Sequence, residues 1–325
     1  MAESKNVLIC DRFSIEAEVQ LKQQKNLNIK KYGTDEDLKT AHALIVRSKF
    51  KLSKEVLDMC PVVEVIVTCT SGYDHIDLKE TEKRGIKVMY TPDANAVSAA
   101  ELTWALIMAA QKHVVAANKD VKAGHWNRDL FVSHELAGHN IGIVGLGRIG
   151  SRVARMARAF DMHVLAFDPY QTEETFKACH ATRCSYEEIL KQSDILTFHV
   201  PFTFETKNMF GRSQLEYVSP ELILINASRG SVVNEDDVVE ALNNRKLKFA
   251  ALDVFAKEPL NRESKLLKCQ HAILTPHLGA FTHEAFLKAS NEGAKRIIEF
   301  FNEKKTLNTL PLQNDWGSLS FAERT

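Results

Sequence analysis

Short apolar runs alternate along the whole chain with longer stretches whose apolar residues recur at helical spacing. Ten of the runs read as strands: VLIC (7–10), ALIVRS (43–48), VEVIVT (63–68), KVMYT (87–91), NIGIVG (140–145), HVLAFD (163–168), DILTFHV (194–200), LILINAS (222–228), FAALDVF (249–255) and AILTP (272–276). Between them, segments such as IGSRVARMARAF (149–160) and DDVVEALNN (236–244) keep the spacing of one helical face. The strands are continuously apolar rather than alternating, which means burial on both faces, and that is the signature of parallel sheets covered by helices. The fold class expected is α/β, with two Rossmann-like or flavodoxin-like domains.

The longest helical signal, SAAELTWALIMAAQKHVVAANKDVKAG (98–124), separates a first group of four strands from a second group of six. An unbroken helix of about 25 residues would extend nearly 40 Å at ~1.5 Å per residue, enough to bridge two domains. A domain boundary is therefore expected at its start. No internal repeat or low-complexity segment interrupts the pattern.

Composition narrows the possibilities. At 325 residues the chain suits two domains, each able to bury its own core. It carries 42 basic and 42 acidic residues, so no net field would draw it to nucleic acid or to an anionic membrane. Six scattered cysteines with no CxxC pair argue against a zinc site and for reduced thiols in a cytoplasmic protein. No stretch has the length or apolarity of a signal peptide or membrane span.

The candidate chemistry begins with GLGRIG (145–150), a G-x-G-x-x-G between the strand NIGIV and a helix. There Gly145 would make the tight turn, Gly147 would let a pyrophosphate approach, and Gly150 would let helix pack on strand. The motif alone is a weak signal that also fits a plain glycine-rich βα turn, but Asp168 stands 18 residues beyond Gly150 at the end of the next strand, where an acid meets an adenosine ribose. Because Pro169 and Tyr170 follow it rather than an arginine, NAD is expected in preference to NADP. Three later strands end in Arg229, in Asp253 and Glu258, and in His277, the edge at which open parallel sheets bind ligands. Taken singly, Arg229 could cap a helix, Glu258 could be a solvated acid and His277 a loop histidine.

The stretches VRS (46–48), SGYDHID (71–77), NAVSAAELT (95–103), GLGRIG, NASRG (226–230), ALDVFAKEP (251–259) and TPHLGA (275–280) together resemble the D-isomer-specific 2-hydroxyacid dehydrogenases, in particular their short 3-phosphoglycerate dehydrogenase branch. The resemblance covers nearly the whole chain. It implies a discontinuous substrate domain, 1–97 plus 284–325, an NAD domain at 98–283, and an active site in the cleft between them. It implies hydride transfer between NAD and a D-2-hydroxy or 2-keto acid, with Arg229 binding the carboxylate and carbonyl oxygen, His277 as acid and base, and Glu258 as its partner. Asp253 would hold the nicotinamide carboxamide. Arg148 and Ile149 would touch the pyrophosphate, Val200, Ala227 and Ser228 would line the cofactor, and Gly279 would lie beside the nicotinamide. Ser71, Gly72 and Arg47 would bind the substrate. A homodimer through the NAD domain, with segment 100–135 and its Trp104 and Trp126 near the interface, is also implied.

Two departures bear on the substrate. Thr68 and Cys69 stand where such dehydrogenases often carry an arginine, and Phe281-Thr282 stands where Ser-Thr commonly follows PHLGA. Arg47, Lys49 and Lys51 remain as candidates for a phosphate. The chain stops at 325, before the regulatory domain that longer relatives append. Alternatives left open are a glyoxylate, hydroxypyruvate or D-lactate type of reductase, a non-catalytic NAD-sensing protein of the corepressor kind, and a plain structural protein. Formate dehydrogenases of this fold differ in carrying glutamine where Glu258 stands.

Overall fold

Burial on both faces explains why the strands carry unbroken apolar runs. A computed structural model describes residues 4–311, and these fall into two compact units: the residues up to Ala96 together with those from Ala280 onward, and Val97–Gly279.

In the first unit the strands are β1 (Lys5–Ile9), β2 (Leu27–Lys31), β3 (Ala43–Val46), β4 (Val65–Thr68) and β5 (Lys87–Tyr90). With the strand Thr309–Leu310 they form a six-stranded sheet in which that strand lies antiparallel to β5 and the order runs on through β4, β3 and β1 to β2. Successive side chains of β1 divide between two cores. Val7 and Ile9 pack with Leu21, Ala289 and Ile297 from the helices Ile15–Lys22 and His283–Glu303. Leu8 packs with Leu38, Leu57 and Tyr90 on the opposite face. The long helix His283–Glu303 starts at Thr282, whose side chain accepts from the Ala285 amide, relieving one of the unpaired donors of its first turn.

The second unit holds β6 (Asn140–Val144), β7 (His163–Phe167), β8 (Thr182–Arg183), β9 (Ile195–Phe198), β10 (Ile223–Asn226), β11 (Phe249–Leu252) and β12 (Ala272–Leu274). All pair in parallel, in the order β12-β11-β10-β9-β6-β7-β8. Chain order reverses between β6 and β9, so the glycine loop that follows β6 opens at the switch point of the sheet.

Two expectations are corrected. The helix expected over 98–124 is two helices, Ala96–Gln111 and Val114–Lys122, broken at His113, whose φ of 53° cannot continue a right-handed helix. Trp104, expected near a subunit interface, is buried in the core, stacked on Phe160 at 4.6 Å and donating to the Val153 carbonyl. Strands β2, β8 and Thr309–Leu310 were not foreseen. The first alternates buried and exposed positions at a sheet edge, and the other two have two residues each.

Candidate active site

Arg229 follows β10 in a loop shaped by its neighbours. The Asn226 carboxamide, 1 % exposed, accepts from the Ser228 amide at 3.1 Å and hydroxyl at 2.8 Å, and donates to the Arg229 carbonyl at 2.9 Å. Gly230 then passes so close to the next strand's exit that a Cβ would stand 1.9 Å from the Phe255 carbonyl carbon. Only glycine fits there, and this contact sets the half-buried Arg229 beside the acid of the following loop.

That acid is Glu258. Its Oε1 accepts from the Phe255 amide at 3.0 Å, and its Oε2 lies 2.7 Å from Nδ1 of His277. A carboxylate has no proton to give, so Nδ1–H donates and Nε2 is left for chemistry. Burial pushes the Glu258 carboxyl up, but the hydrogen bonds from His277 and Phe255 and the charges of His277 and Arg229 outweigh it and hold the group below its ordinary range. Arg229, Glu258 and His277, foreseen from three strand ends, are thus one electrostatic group.

His277 has a φ of 56°, a left-handed conformation that a non-glycine residue keeps only when its surroundings enforce it. Asp253, fully buried after β11, supplies that enforcement. Its Oδ1 accepts from the Thr275 hydroxyl at 2.6 Å and the Leu278 amide at 2.8 Å, and its Oδ2 from the Gly279 amide at 3.0 Å. Its backbone carbonyl accepts from the His277 amide at 2.8 Å. The resemblance assigns Asp253 to the nicotinamide carboxamide; in the structure its carboxylate also ties down the segment that carries His277.

The glycine loop suits a dinucleotide. Gly145 has a φ of 93°, and a Cβ there would lie 2.7 Å from the His199 carbonyl oxygen. A Cβ at Gly147 would meet nothing within 4 Å, leaving that backbone open to a ligand, and one at Gly150 would strike the Gly145 carbonyl oxygen at 2.0 Å. Helix Gly150–Ala159 begins in this loop, where the Ser151 amide donates to the Gly147 carbonyl at 3.0 Å and the Arg152 amide to that of Ile149 at 2.9 Å, with the positive end of the helix dipole facing the loop. Arg148 is exposed on the loop. Ile149, Ala227 and Val200 sit in or against the apolar core, with Val200 3 % exposed.

Asp168 is 3 % exposed, accepting from the Leu146 amide at 2.8 Å and the Tyr170 amide at 2.9 Å. Burial raises its carboxyl above the ordinary range despite those amides. Each oxygen keeps acceptor capacity for a ribose hydroxyl. Beside it a cavity of about 290 Å³ is lined by Phe167, Pro169, Arg183, Cys184 and Ser185. Arg183, a cation that the residues following Asp168 gave no sign of, arrives from β8; it pairs with Glu173 at 2.6 Å and lies over the Phe176 ring at 5.0 Å.

In the first unit, Ser71 and Gly72 follow β4 and are half-buried. A hydroxyl chain supports their loop: Thr70 donates to the Gly72 carbonyl at 2.6 Å and accepts from the Thr68 hydroxyl at 2.6 Å, and the Thr68 oxygen in turn lies 3.0 Å from Nε2 of His75. Arg47 follows β3, its guanidinium 5.3 Å from the centre of the Phe286 ring. Among the described residues no cluster of histidine, cysteine or acid side chains could hold a metal, and no helix is long and apolar enough to cross a membrane.

A glycine loop at the switch point of a parallel sheet, with an acid after the next strand, defines a dinucleotide-binding α/β protein. Residues 104–279 match the family model of the D-isomer specific 2-hydroxyacid dehydrogenase NAD binding domain, and the chain belongs to that family. It is 39% identical over 266 residues, 82% of its length, to a D-3-phosphoglycerate dehydrogenase of Bacillus subtilis, of which those residues are 50%. It is 36% identical over 272 residues to a glyoxylate reductase of Thermococcus litoralis, covering 82% of each chain. The chain thus spans about half the length of the phosphoglycerate dehydrogenases it matches. Among solved structures, a D-lactate dehydrogenase from Aquifex aeolicus complexed with NAD and lactic acid superposes with a TM-score of 0.85 at 30% identity, over 95% of this chain and 100% of that one.

Proposed function

We propose that this protein is an NAD-dependent oxidoreductase that interconverts a D-2-hydroxy acid and its 2-keto acid. The observation that carries the reading is the His277–Glu258 pair, 2.7 Å apart, with the Arg229 charge acting on the same carboxylate. When bound, the nicotinamide supplies or takes up the hydride. His277 gives a proton from Nε2 to the carbonyl oxygen in reduction and takes it back from the hydroxyl in oxidation. Glu258 stabilises the doubly protonated ring and fixes its orientation through Nδ1. Arg229 binds the substrate carboxylate with a planar fork that a lysine lacks. Ser71, Gly72 and Arg47 complete substrate binding. Gly145, Gly147, Gly150 and Asp168 hold the pyrophosphate and ribose, with Arg148, Ser228 and Gly279 alongside.

The protein works as a homodimer through its NAD-binding unit. Supporting this, Val114, Val115, Val121, Trp126, Leu130 and Val132 are each more than half exposed, a large apolar run to leave in water. Its place is the cytoplasm, where its six free cysteines stay reduced. The activity is tested by NADH oxidation against glyoxylate, pyruvate, hydroxypyruvate, phenylpyruvate and phosphohydroxypyruvate. Turnover of at least one, strongly reduced in His277→Ala, is expected; no turnover of any would refute the reading.

A further inference from the structure

Within the first unit, Ser71 and Gly72 lie between two fixed ends. On one side Cys69, fully buried, packs against Gly293 of the helix His283–Glu303, where a Cβ would stand 2.4 Å from its Sγ, and the Thr70 carbonyl accepts from the Thr91 amide at 3.2 Å. On the other, Tyr73 meets Tyr90 edge-on at 5.8 Å. Among the described residues a single hydrogen bond reaches the pair between them: the Thr70 hydroxyl donates to the Gly72 carbonyl at 2.6 Å. The Ser71 and Gly72 amides donate to none of the described residues. Two successive open amides on an anchored turn suit an anion.

The direction of the bonds behind that contact follows from counting protons. A carbonyl only accepts, so the one hydroxyl proton of Thr70 goes to Gly72. Thr70 must then accept from Thr68, 2.6 Å away, and Thr68, its own proton engaged, must accept from Nε2–H of His75 at 3.0 Å. Three bonds thus run one way, from the imidazole through two hydroxyls to the Gly72 carbonyl, and in a buried place each link polarises the next. The origin of this relay is itself fixed: the His75 carbonyl accepts from the Leu52 amide at 2.8 Å, and Ile76 beside it is buried in the core. Thr68, the middle link, stands where such dehydrogenases often carry an arginine.

We propose that His75 is a positioning residue for substrate binding: through Thr68 and Thr70 it holds the Gly72 carbonyl, and so shapes the loop that offers the Ser71 and Gly72 amides to the substrate carboxylate. Fixing that carbonyl fixes the Gly72–Tyr73 peptide plane. Glycine leaves its backbone free to turn, and without the relay the carbonyl could swing toward the bound anion and repel it. This rests on the reading of Ser71 and Gly72 as substrate-binding residues of an oxidoreductase.

Steady-state kinetics of His75→Phe, which keeps an aromatic ring but has no N–H donor, test the relay. KM for the keto acid should rise roughly 5- to 50-fold, the range for losing one or two hydrogen bonds at a buried site, with kcat changing less and KM for NADH staying within about twofold. His75→Gln, which can present an N–H donor, should recover part of the loss. Thr70→Val breaks the last link, and adding His75→Phe to it should raise KM no further, because the histidine acts only through that hydroxyl. Should His75→Phe fail to fold, Thr68→Val breaks the middle link, with the same rise in KM expected. A lowered Tm with the keto-acid KM unchanged, an equal rise in KM for NADH, or effects of His75→Phe and Thr70→Val that multiply would each overturn the proposal while leaving the oxidoreductase standing. Failure of the wild-type protein to reduce any 2-keto acid would instead remove the reading on which it rests.

Discussion

Replacing Asp253 by asparagine separates two roles for this residue. In the structure its carboxylate is fully buried and accepts from Thr275, Leu278 and Gly279, at 2.6, 2.8 and 3.0 Å. Asparagine can keep its oxygen toward Thr275 and Leu278, as weaker neutral bonds, but then turns its NH₂ toward the Gly279 N–H. Losing the charge-assisted character of two bonds and leaving two buried donors, the asparagine NH₂ and the Gly279 N–H, facing each other costs about 1–3 kcal/mol per affected group, offset in part because a neutral amide is cheaper to bury. The net expectation is a loss of about 2–4 kcal/mol, a fall in Tm of roughly 5–15 °C for a unit of this size. With its anchor loosened, the segment bearing His277 relaxes from its left-handed φ, and kcat should fall about 10- to 100-fold. The assay is thermal unfolding of the protein without cofactor, followed by steady-state kinetics. If Asp253 served only to hold the nicotinamide carboxamide, the cofactor-free protein would melt as wild type and KM for NADH alone would rise; that result would refute the anchoring argument.

His277→Ala should lower kcat by about 10²- to 10⁴-fold, with NADH binding, followed by fluorescence titration, nearly intact. Glu258 is held below the usual carboxylate range, so its charge, and the activity that depends on it, should persist as pH falls through the ordinary glutamate region and be lost only below it. Glu258→Gln removes that charge at every pH, so the alkaline limb of the reduction profile should move to lower pH; a shift upward, or none, would separate Glu258 from His277 in function. Arg229→Lys should raise KM for the keto acid and lower kcat, recovering only part of what Arg229→Ala loses. NADH should be preferred to NADPH by at least about 1 kcal/mol, because a 2′-phosphate would meet Asp168 while Arg183 is already engaged by Glu173. Glu173→Ala should narrow that preference, as judged from the two kcat/KM values.

The buried strands and the residues at their ends were legible in the chain because the cause is local. A run such as ILIN or VIVT can be buried on both faces only inside a covered parallel sheet, and the positions just past such runs lie at its carboxyl edge. Arg229, Glu258 and His277 were singled out by such positions together with the family resemblance, Gly145 by its glycine motif, and Asp168 by its place at the end of the next strand. The single helix expected over 98–124 failed because nothing in its apolar spacing marks the left-handed turn at His113, which only packing imposes. The edge strand Leu27–Lys31 escaped notice because an edge buries one face and keeps too weak a pattern, and Thr182–Arg183 is too short to have one. What the tertiary structure alone decided are contacts between residues far apart in sequence: Asp253 against Gly279, Gly230 against Phe255, Arg183 beside Asp168, and Arg12 over the ring of Phe286. Such pairings leave no period in the chain, since each depends on where two distant backbones converge rather than on the spacing of side chains along one.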